Sequence, residues 1–337
     1  MLMRGTPYRG HMGRIAVTDG MDDEAIESIE AAGHVVVCRH YSNEELIGGA
    51  LRDFDAVVIR SATKMTASVI RASHGTDRRL RFIGRAGVGV DNIDVGVASD
   101  MGIIVCNTPS ASTRSVVELT IGHLIASTRM IARADCTLRE GEWAKKELRG
   151  SEIGGKRLGL IGLGRIARGV AEIATSFGME IHAFDPYVTK VPNGIIMHDD
   201  LDDVFRNCTH ISIHCNLTED TRNLVNSYRI SLMPDVGLDG TECGNHIVSC
   251  ARGGIVDEHA ALEALQSGHL KSLALDVFEV EPLGDSSLLS IEGFHGSPHI
   301  AASTLEAQSR IGSEMASLII EFFACGKPST SLNADRI

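Results

Sequence analysis

Residues 156–178, KRLGLIGLGRIARGVAEIATSFG, constrain the fold of this chain more than any other stretch. A short apolar run, Leu158-Gly159-Leu160-Ile161, leads straight into Gly162-Leu163-Gly164-Arg165-Ile166-Ala167 and then into an amphipathic helical pattern. In that strand–turn–helix context a G-x-G-x-x-G/A string is a dinucleotide fingerprint, whereas alone it is a weak signal. Gly162 permits the tight turn, Gly164 lets the backbone approach a pyrophosphate, and the helix N-terminus supplies unpaired N–H donors and the positive end of its dipole. Ala167 is an accepted variant at the third position. Asp185 ends the next strand, 23 residues after Gly162, where a carboxylate accepts from ribose hydroxyls and repels a 2′-phosphate, so NAD is expected rather than NADP. The alternative is an ordinary turn with Asp185 capping the DPY segment.

Around this motif the pattern is α/β throughout. From Arg14 onward, IAVTDG, EAIESIEAAG, HVVVCRH, DAVVIRS, LRFIGRAGVGVDNID and GIIVCNTP alternate strand and helix. After residue 156, MEIHAFD, HISIHC, HIVSCARGG and SLALDVF repeat the alternation, and a helix near 304–324 closes the chain. Such repeats make βαβ units and parallel sheets. At 337 residues two domains are expected: two Rossmann-like, doubly wound parallel-sheet domains with a cleft between them. The boundaries expected are 14–111 plus 300–337 for a discontinuous substrate-binding domain and 112–299 for an NAD-binding domain. Residues 112–133 read as one helix, with Ser115 and Glu118 matching a capping box and Val116, Leu119, Leu124 and Ile131 near one face. Residues 231–246 read as a surface loop before a buried strand.

Composition narrows the function. Hydrophobic residues are 43% and charged residues 23%, the balance of a globular chain that folds. The net charge of −12, with no basic run, argues against nucleic acid or anionic membrane as partners. Eight cysteines lack CxxC or zinc-type spacing and read as thiols of a reducing compartment; no metal site is expected. No apolar segment approaches the ~20 residues that span a bilayer, and the N-terminus lacks a signal-peptide core, so a cytoplasmic location is expected. Residues 1–12 read as a tail, with Met12 an alternative start or part of a cloning remnant.

Three residues of the C-terminal third stand at strand-to-loop junctions and match the needs of hydroxy-acid oxidation: a cation, a base and a partner for the base. They are Arg252 in SCARGGIVDE, Glu281 in ALDVFEVEP and His299 in SPHIAAS. Singly, each has an ordinary alternative as a loop cation, a solvated carboxylate or a satisfied histidine, and spacing does not establish that they converge.

A resemblance supplies that step. RSATKMTASVI, GRAGVGVDNID, CNTPSASTRSVVELTIG, LGLIGLGRIA, CARGGIVDE, ALDVFEVEP and SPHIAASTLEAQSR run in order over residues ~14–325, and with them the chain resembles the D-isomer-specific 2-hydroxyacid dehydrogenases. The resemblance implies hydride transfer from the substrate C2 to NAD. His299 would carry the hydroxyl proton, Glu281 would pair with His299 and favour its protonated form, and Arg252 would hold the carboxylate. It further implies that Arg165, Ile166 and Asp185 lie on the adenosine side of the cofactor, with Cys250, Ala251 and Asp276 toward the nicotinamide; Asp276 alternatively caps its strand. Gly87, Val88 and Gly89 resemble the substrate-carboxylate loop. Arg60, Arg85 and Asn107 lie in strings most like the branch that handles phosphorylated hydroxy acids, where Arg60 and Arg85 are candidates to meet the phosphate. A small, phosphate-free keto acid is the alternative substrate, and a corepressor-like binding protein of the same fold a more remote one.

Trp143, Lys145 and Lys146 resemble a segment that reaches toward a neighbouring subunit, implying a homodimer; the alternative is a solvated basic turn. Asn216, Ala301, Arg114 and the length of the 231–246 loop depart from the family pattern, Asn216 and Ala301 where they would adjust the nicotinamide pocket and Arg114 as a charge near the cleft. The end of the chain at Ile337 implies that the C-terminal regulatory domains of longer relatives are absent.

Overall fold

The structure, a computed structural model, describes residues 12–337; the expectations for residues 1–11 lie outside the described residues. Two compact units emerge, one made of residues up to Ser112 together with Ala302–Ile337, the other of Thr113–Ala301.

In the first unit five strands, β1 (Arg14–Val17), β2 (Val35–Cys38), β3 (Ala56–Ile59), β4 (Phe82–Arg85) and β5 (Ile104–Asn107), form a sheet of order β2-β1-β3-β4-β5. All pairings are parallel. Because side chains alternate along a strand, Ile15 and Val17 pack on one face while Ala16 packs on the other. Helix Asp23–Ala31 and the C-terminal helix Leu305–Cys325 cover the first face through Ala25, Ile29, Ile311, Met315 and Ile319. Shorter helices cover the second through Leu46, Val69, Ile70 and Ala98. Burial on both faces is why these strands read as continuous apolar runs.

The second unit has seven described strands: β6 (Arg157–Ile161), β7 (Glu180–Phe184), β8 (Ile195–Met197), β9 (His210–Ile213), β10 (Asn245–Ser249), β11 (Leu270–Leu275) and β12 (Phe294–Gly296). Their order is β12-β11-β10-β9-β6-β7-β8, again with parallel pairing. The strand order reverses beside β6, and in open α/β sheets ligands bind at the carboxyl ends of strands at such a switch point. Helix Thr113–Thr128 packs on helix Arg165–Ser176, where an added Cβ at Gly169 would stand 2.8 Å from a Val117 methyl.

The expected single helix over 112–133 is two. The first is Thr113–Thr128; the second, Ile131–Arg139, starts after Met130, whose φ of +54° breaks the run. The hydroxyls of Ser127 and Thr128 both bond back to the Leu124 carbonyl, a local competition that favours helix ends. Ser115 is not a cap either: it lies inside the helix and is buried, while Glu118 pairs with Arg114 at 2.9 Å. The 231–246 segment is a small ribbon, with a Val236–Glu242 bridge and an ion pair of 2.7 Å from the buried Lys156 to Asp239.

Candidate active site

The glycine turn is built by two different needs. Gly162 has φ +89°, and an added Cβ would sit 2.9 Å from the Cys215 amide nitrogen, so the fold itself demands glycine there. Gly164 has φ −75°, and an added Cβ would meet no protein atom within 4 Å. Nothing in the packing asks for glycine at 164, and the open space there is what the close approach of a ligand would need. Gly164 is the N-cap of helix Arg165–Ser176 and makes no side-chain cap bond, so the end of the helix is left to complement an anion. Arg165 and Ile166 open that helix, and Ala167 is fully buried against the sheet. This cradle fits a dinucleotide pyrophosphate.

Asp185 is committed on both oxygens: Oδ2 accepts from the Leu163 amide at 2.8 Å and Oδ1 from the Tyr187 amide at 2.9 Å. It therefore caps the DPY turn and ties that turn to the glycine loop at once. Each carboxylate oxygen has a second lone pair, which leaves capacity for ribose hydroxyls.

Arg252 follows β10, half-buried, its Nη1 donating to the Ala251 carbonyl at 2.7 Å. The neighbouring Gly253 admits no side chain, because a Cβ would overlap the Phe278 carbonyl. Glu281 Oε2 faces His299 Nδ1 at 2.7 Å, and Oε1 accepts from the Phe278 amide at 3.0 Å. Partial burial works to raise the Glu281 carboxyl, but the bonds from His299 and Phe278, with the charges of His299 and Arg252, hold it below its ordinary range. All three candidate catalytic residues thus act on one locus of the second unit. With Nδ1 turned to a carboxylate, His299 keeps its Nε2 outside the pair.

His299 has φ +53°, a left-handed conformation uncommon for residues with a side chain. Asp276 imposes it. Its backbone carbonyl accepts the His299 amide at 2.8 Å; Oδ1 accepts from Ser297 Oγ at 2.5 Å and the Ile300 amide at 2.8 Å; Oδ2 accepts from the Ala301 amide at 2.9 Å. Asp276 is fully buried and does cap its strand, as a clamp for the loop that carries the histidine. Cys250 is buried too, and burial pushes its thiol up to about 12; it forms a small apolar cluster with Val116 and Ala301, against which Ile166 packs. Ala251 is half-buried beside it.

The substrate candidates lie in the first unit, at the carboxyl ends of its strands, where Arg85 and Asn107 close β4 and β5, and on the loops that follow. Asp19 accepts from the Arg60 amide at 2.7 Å and from both the amide and hydroxyl of Thr63, while Asn92 donates to the carbonyls of Arg60 and Thr63. The Arg85 guanidinium bonds Ala86 O and Ser61 Oγ, each at 3.2 Å, and lies across Gly87, where any Cβ would overlap it. Asn107 donates to Val88 O at 2.5 Å, and the Thr108 amide to Gly87 O at 3.0 Å. Arg60, Arg85, Gly87, Val88 and Asn107 thereby share one braced loop cluster, with the half-buried Gly89 next in the chain.

Arg114 is solvent-facing and paired with Glu118, and Ala301 is buried under the Asp276 clamp. Among the described residues no three His, Cys, Asp or Glu side chains are placed to hold a metal ion, and no helix is long and apolar enough to cross a membrane. The residues missed by sequence reasoning are Asp19, Asn92 and Ser297, whose roles depend on contacts across tens of residues and carry no local signature.

The family profile of the D-isomer specific 2-hydroxyacid dehydrogenase NAD binding domain matches residues 121–301. A D-3-phosphoglycerate dehydrogenase of Methanocaldococcus jannaschii is 43% identical over 311 residues, 91% of this chain and 57% of that protein, so the chain spans little more than half of that relative. A hydroxypyruvate reductase of Thermotoga maritima is 42% identical over 313 residues, covering 91% of this chain and 97% of its own. Among solved structures, the NADPH-dependent glyoxylate/hydroxypyruvate reductase of Sinorhizobium meliloti, in complex with NADP and malonate, superposes with a TM-score of 0.83 at 25% identity over 96% of this chain and 97% of its own. The glycine cradle, the clamped histidine and these matches together place the chain in a family: it belongs to the D-isomer-specific 2-hydroxyacid dehydrogenases.

Proposed function

We propose that the protein catalyses the reversible, NAD-dependent oxidation of a D-2-hydroxy acid, with 3-phospho-D-glycerate as substrate and 3-phosphohydroxypyruvate as product, the first step of serine biosynthesis. The observation that carries the reading is the Glu281–His299 pair at 2.7 Å, under the field of Arg252 and in the same unit as the glycine cradle. Gly162, Gly164, Arg165 and Ile166 hold the pyrophosphate side of NAD, and Asp185 takes the ribose; Cys250, Ala251 and the spare lone pair of Asp276 lie toward the nicotinamide. When bound, the cofactor supplies the acceptor for the hydride leaving the substrate C2.

The chain's own residues do the rest. His299 Nε2 takes the C2 hydroxyl proton and returns it in the reverse direction, while the ionised Glu281 stabilises the imidazolium on Nδ1. Arg252 holds the carboxylate and polarises the C2 oxygen. The amides of Gly87, Val88 and Gly89 bind the carboxylate, and Arg60 and Arg85 meet the phosphate, with Asn107 bracing their loop. The Asp185 carboxylate disfavours a 2′-phosphate and so selects NAD. Trp143, 82% exposed near Lys145 and Lys146, suits a homodimer contact, since a large apolar ring in water favours burial.

Hydroxypyruvate reduction is the second reading, favoured by the Thermotoga maritima relative, which this chain matches along nearly its whole length. Steady-state NADH oxidation with 3-phosphohydroxypyruvate, hydroxypyruvate and glyoxylate separates the two. Preference for the phosphorylated acid supports the first reading; preference for the small acids supports the second. Absence of turnover on all three removes both.

A further inference from the structure

Behind the His299 loop runs a buried chain of side chains that the reaction scheme does not use. His123, on helix Thr113–Thr128 and 6% exposed, places Nδ1 2.8 Å from His295 Nε2 and Nε2 2.9 Å from Ser297 Oγ. Ser297 in turn donates to Asp276 Oδ1. His295 sits in β12, Ser297 directly follows that strand, and Asp276 directly follows β11, which pairs with β12.

The direction of every bond is fixed by elimination. Ser297 has one hydroxyl proton and gives it to Asp276, so it must accept from His123. His123 therefore carries its proton on Nε2. Burial lowers both imidazoles, His295 to about 4, so both rings are neutral near pH 7. A neutral His123 protonated on Nε2 accepts at Nδ1, and His295 must donate from Nε2. Three donors in series point toward one carboxylate, an arrangement in which each bond polarises the next. That carboxylate also takes the Ile300 and Ala301 amides, and the same residue's carbonyl takes the His299 amide. A left-handed, non-glycine backbone persists only where its surroundings over-determine it.

We propose that His123 is a positioning residue: its Nε2–H, acting through Ser297, fixes the hydrogen bonding of Asp276 and with it the left-handed backbone from which His299 meets Glu281. The inference rests on His299 as the proton carrier. Without a donor at 123, the Ser297 hydroxyl is free to turn away from Asp276 and the loop loses one of its four ties. A residue that merely filled the space would be replaceable by any side chain of that volume. The donor is the distinguishing property: Gln presents an amide N–H near the position of Nε2, and Met does not.

The test uses the full-length protein and NADH, with whichever of 3-phosphohydroxypyruvate or hydroxypyruvate it reduces faster. His123→Met should lower kcat about tenfold, with KM for the keto acid and Kd for NADH within about twofold of the parent, because misplacement of a proton carrier costs rate rather than affinity. His123→Gln should stay within about twofold in kcat. Ser297→Ala, which deletes the next bond, should fall with His123→Met and carries the test if that variant does not fold. A wild-type kcat in both His123→Met and Ser297→Ala overturns the proposal. So does a His123→Gln as impaired as His123→Met, or a loss shared equally by kcat and NADH affinity. The control is His299→Ala: if it is active, the underlying reading falls; if it is inactive while His123→Met and Ser297→Ala are not, only the role of His123 falls.

Discussion

The two units share a plan and differ in how they keep polar groups inside it. In the five-stranded unit the interior is tied by short carboxylate and amide groups. Asp55 accepts from the Arg14 amide at 2.8 Å, and Asn333 accepts from the Val105 amide and donates to Ser99 Oγ and Ile103 O, each at 2.9 Å. The seven-stranded unit adds stacked imidazoles to such groups. His123–His295, His182–His198 and His210–His246 stack with ring centroids 4.9, 5.0 and 4.5 Å apart, and among the described residues no other histidine pairs stack. A neutral imidazole donates at one ring nitrogen and accepts at the other, so imidazoles can be linked in series. Protonation can therefore reach the ties of the second unit through these imidazoles.

Four outcomes would break or sharpen this contrast. The largest concerns the chemistry. His299→Ala in the second unit should lower kcat by about 10²–10⁴, the usual worth of a general acid–base group, whereas Arg60→Ala in the first should raise KM more than it lowers kcat. The opposite split in steady-state kinetics would put the chemistry in the wrong unit.

Next is acid lability. Desolvation holds His214, His246 and His295 at about 4 and also lowers His210 well below its ordinary value. The unfolded chain binds these protons first, near 6.5, so stability falls as pH drops from 6.5 toward 4, by on the order of 3 kcal/mol for the buried His246 alone. Hydrogen exchange read by mass spectrometry at pH 7 and 4.5 should show β9 and β10 losing protection before β1 and β3. Equal loss in both sheets would erase the distinction.

A smaller effect separates the two glycines. Gly162→Ala should cost about 2–3 kcal/mol, visible as a lower Tm, because φ +89° is strained for alanine and the Cys215 backbone is in the way. Gly164→Ala should leave Tm almost unchanged and weaken NADH binding about tenfold by fluorescence titration, since it fills only the space the ligand needs. The smallest effect is at Glu281. Its carboxyl is lowered in the folded protein, so its contribution is present above the ordinary carboxylate range and is lost as pH falls through the folded value. The Tm gap between the parent and Glu281→Gln should exist at pH 7 and close once the folded carboxyl is protonated; a gap that persists in strong acid would remove the assigned pairing.

What sequence could reveal follows the same division between contiguous and distant signals. The strand, glycines, helix and Asp185 occupy one uninterrupted stretch, so both the fold class and the nucleotide cradle were legible from it. Arg252, Glu281 and His299 sit on three separate loops, and only family resemblance brought them together before the structure did. The clamp was not legible. Asp276 reads as a nicotinamide-side residue or a strand-end cap, and its partners Ser297, Ile300 and Ala301 are backbone or hydroxyl groups that carry no motif. His123 and His295 are 172 positions apart, each on an element that reads correctly as helix or strand without them. The break at Met130 was missed because hydroxyl back-bonding at Ser127 and Thr128 ends a helix without glycine or proline.

The backbone of His299 sets two kinds of selection against each other. At φ +53° glycine or asparagine would rest more comfortably than histidine. A library screened only for survival of heating should therefore drift toward Gly or Asn at 299, while one screened for turnover should hold His and gather its gains elsewhere. The most informative position in such libraries is thus one where the more durable protein is the inert one.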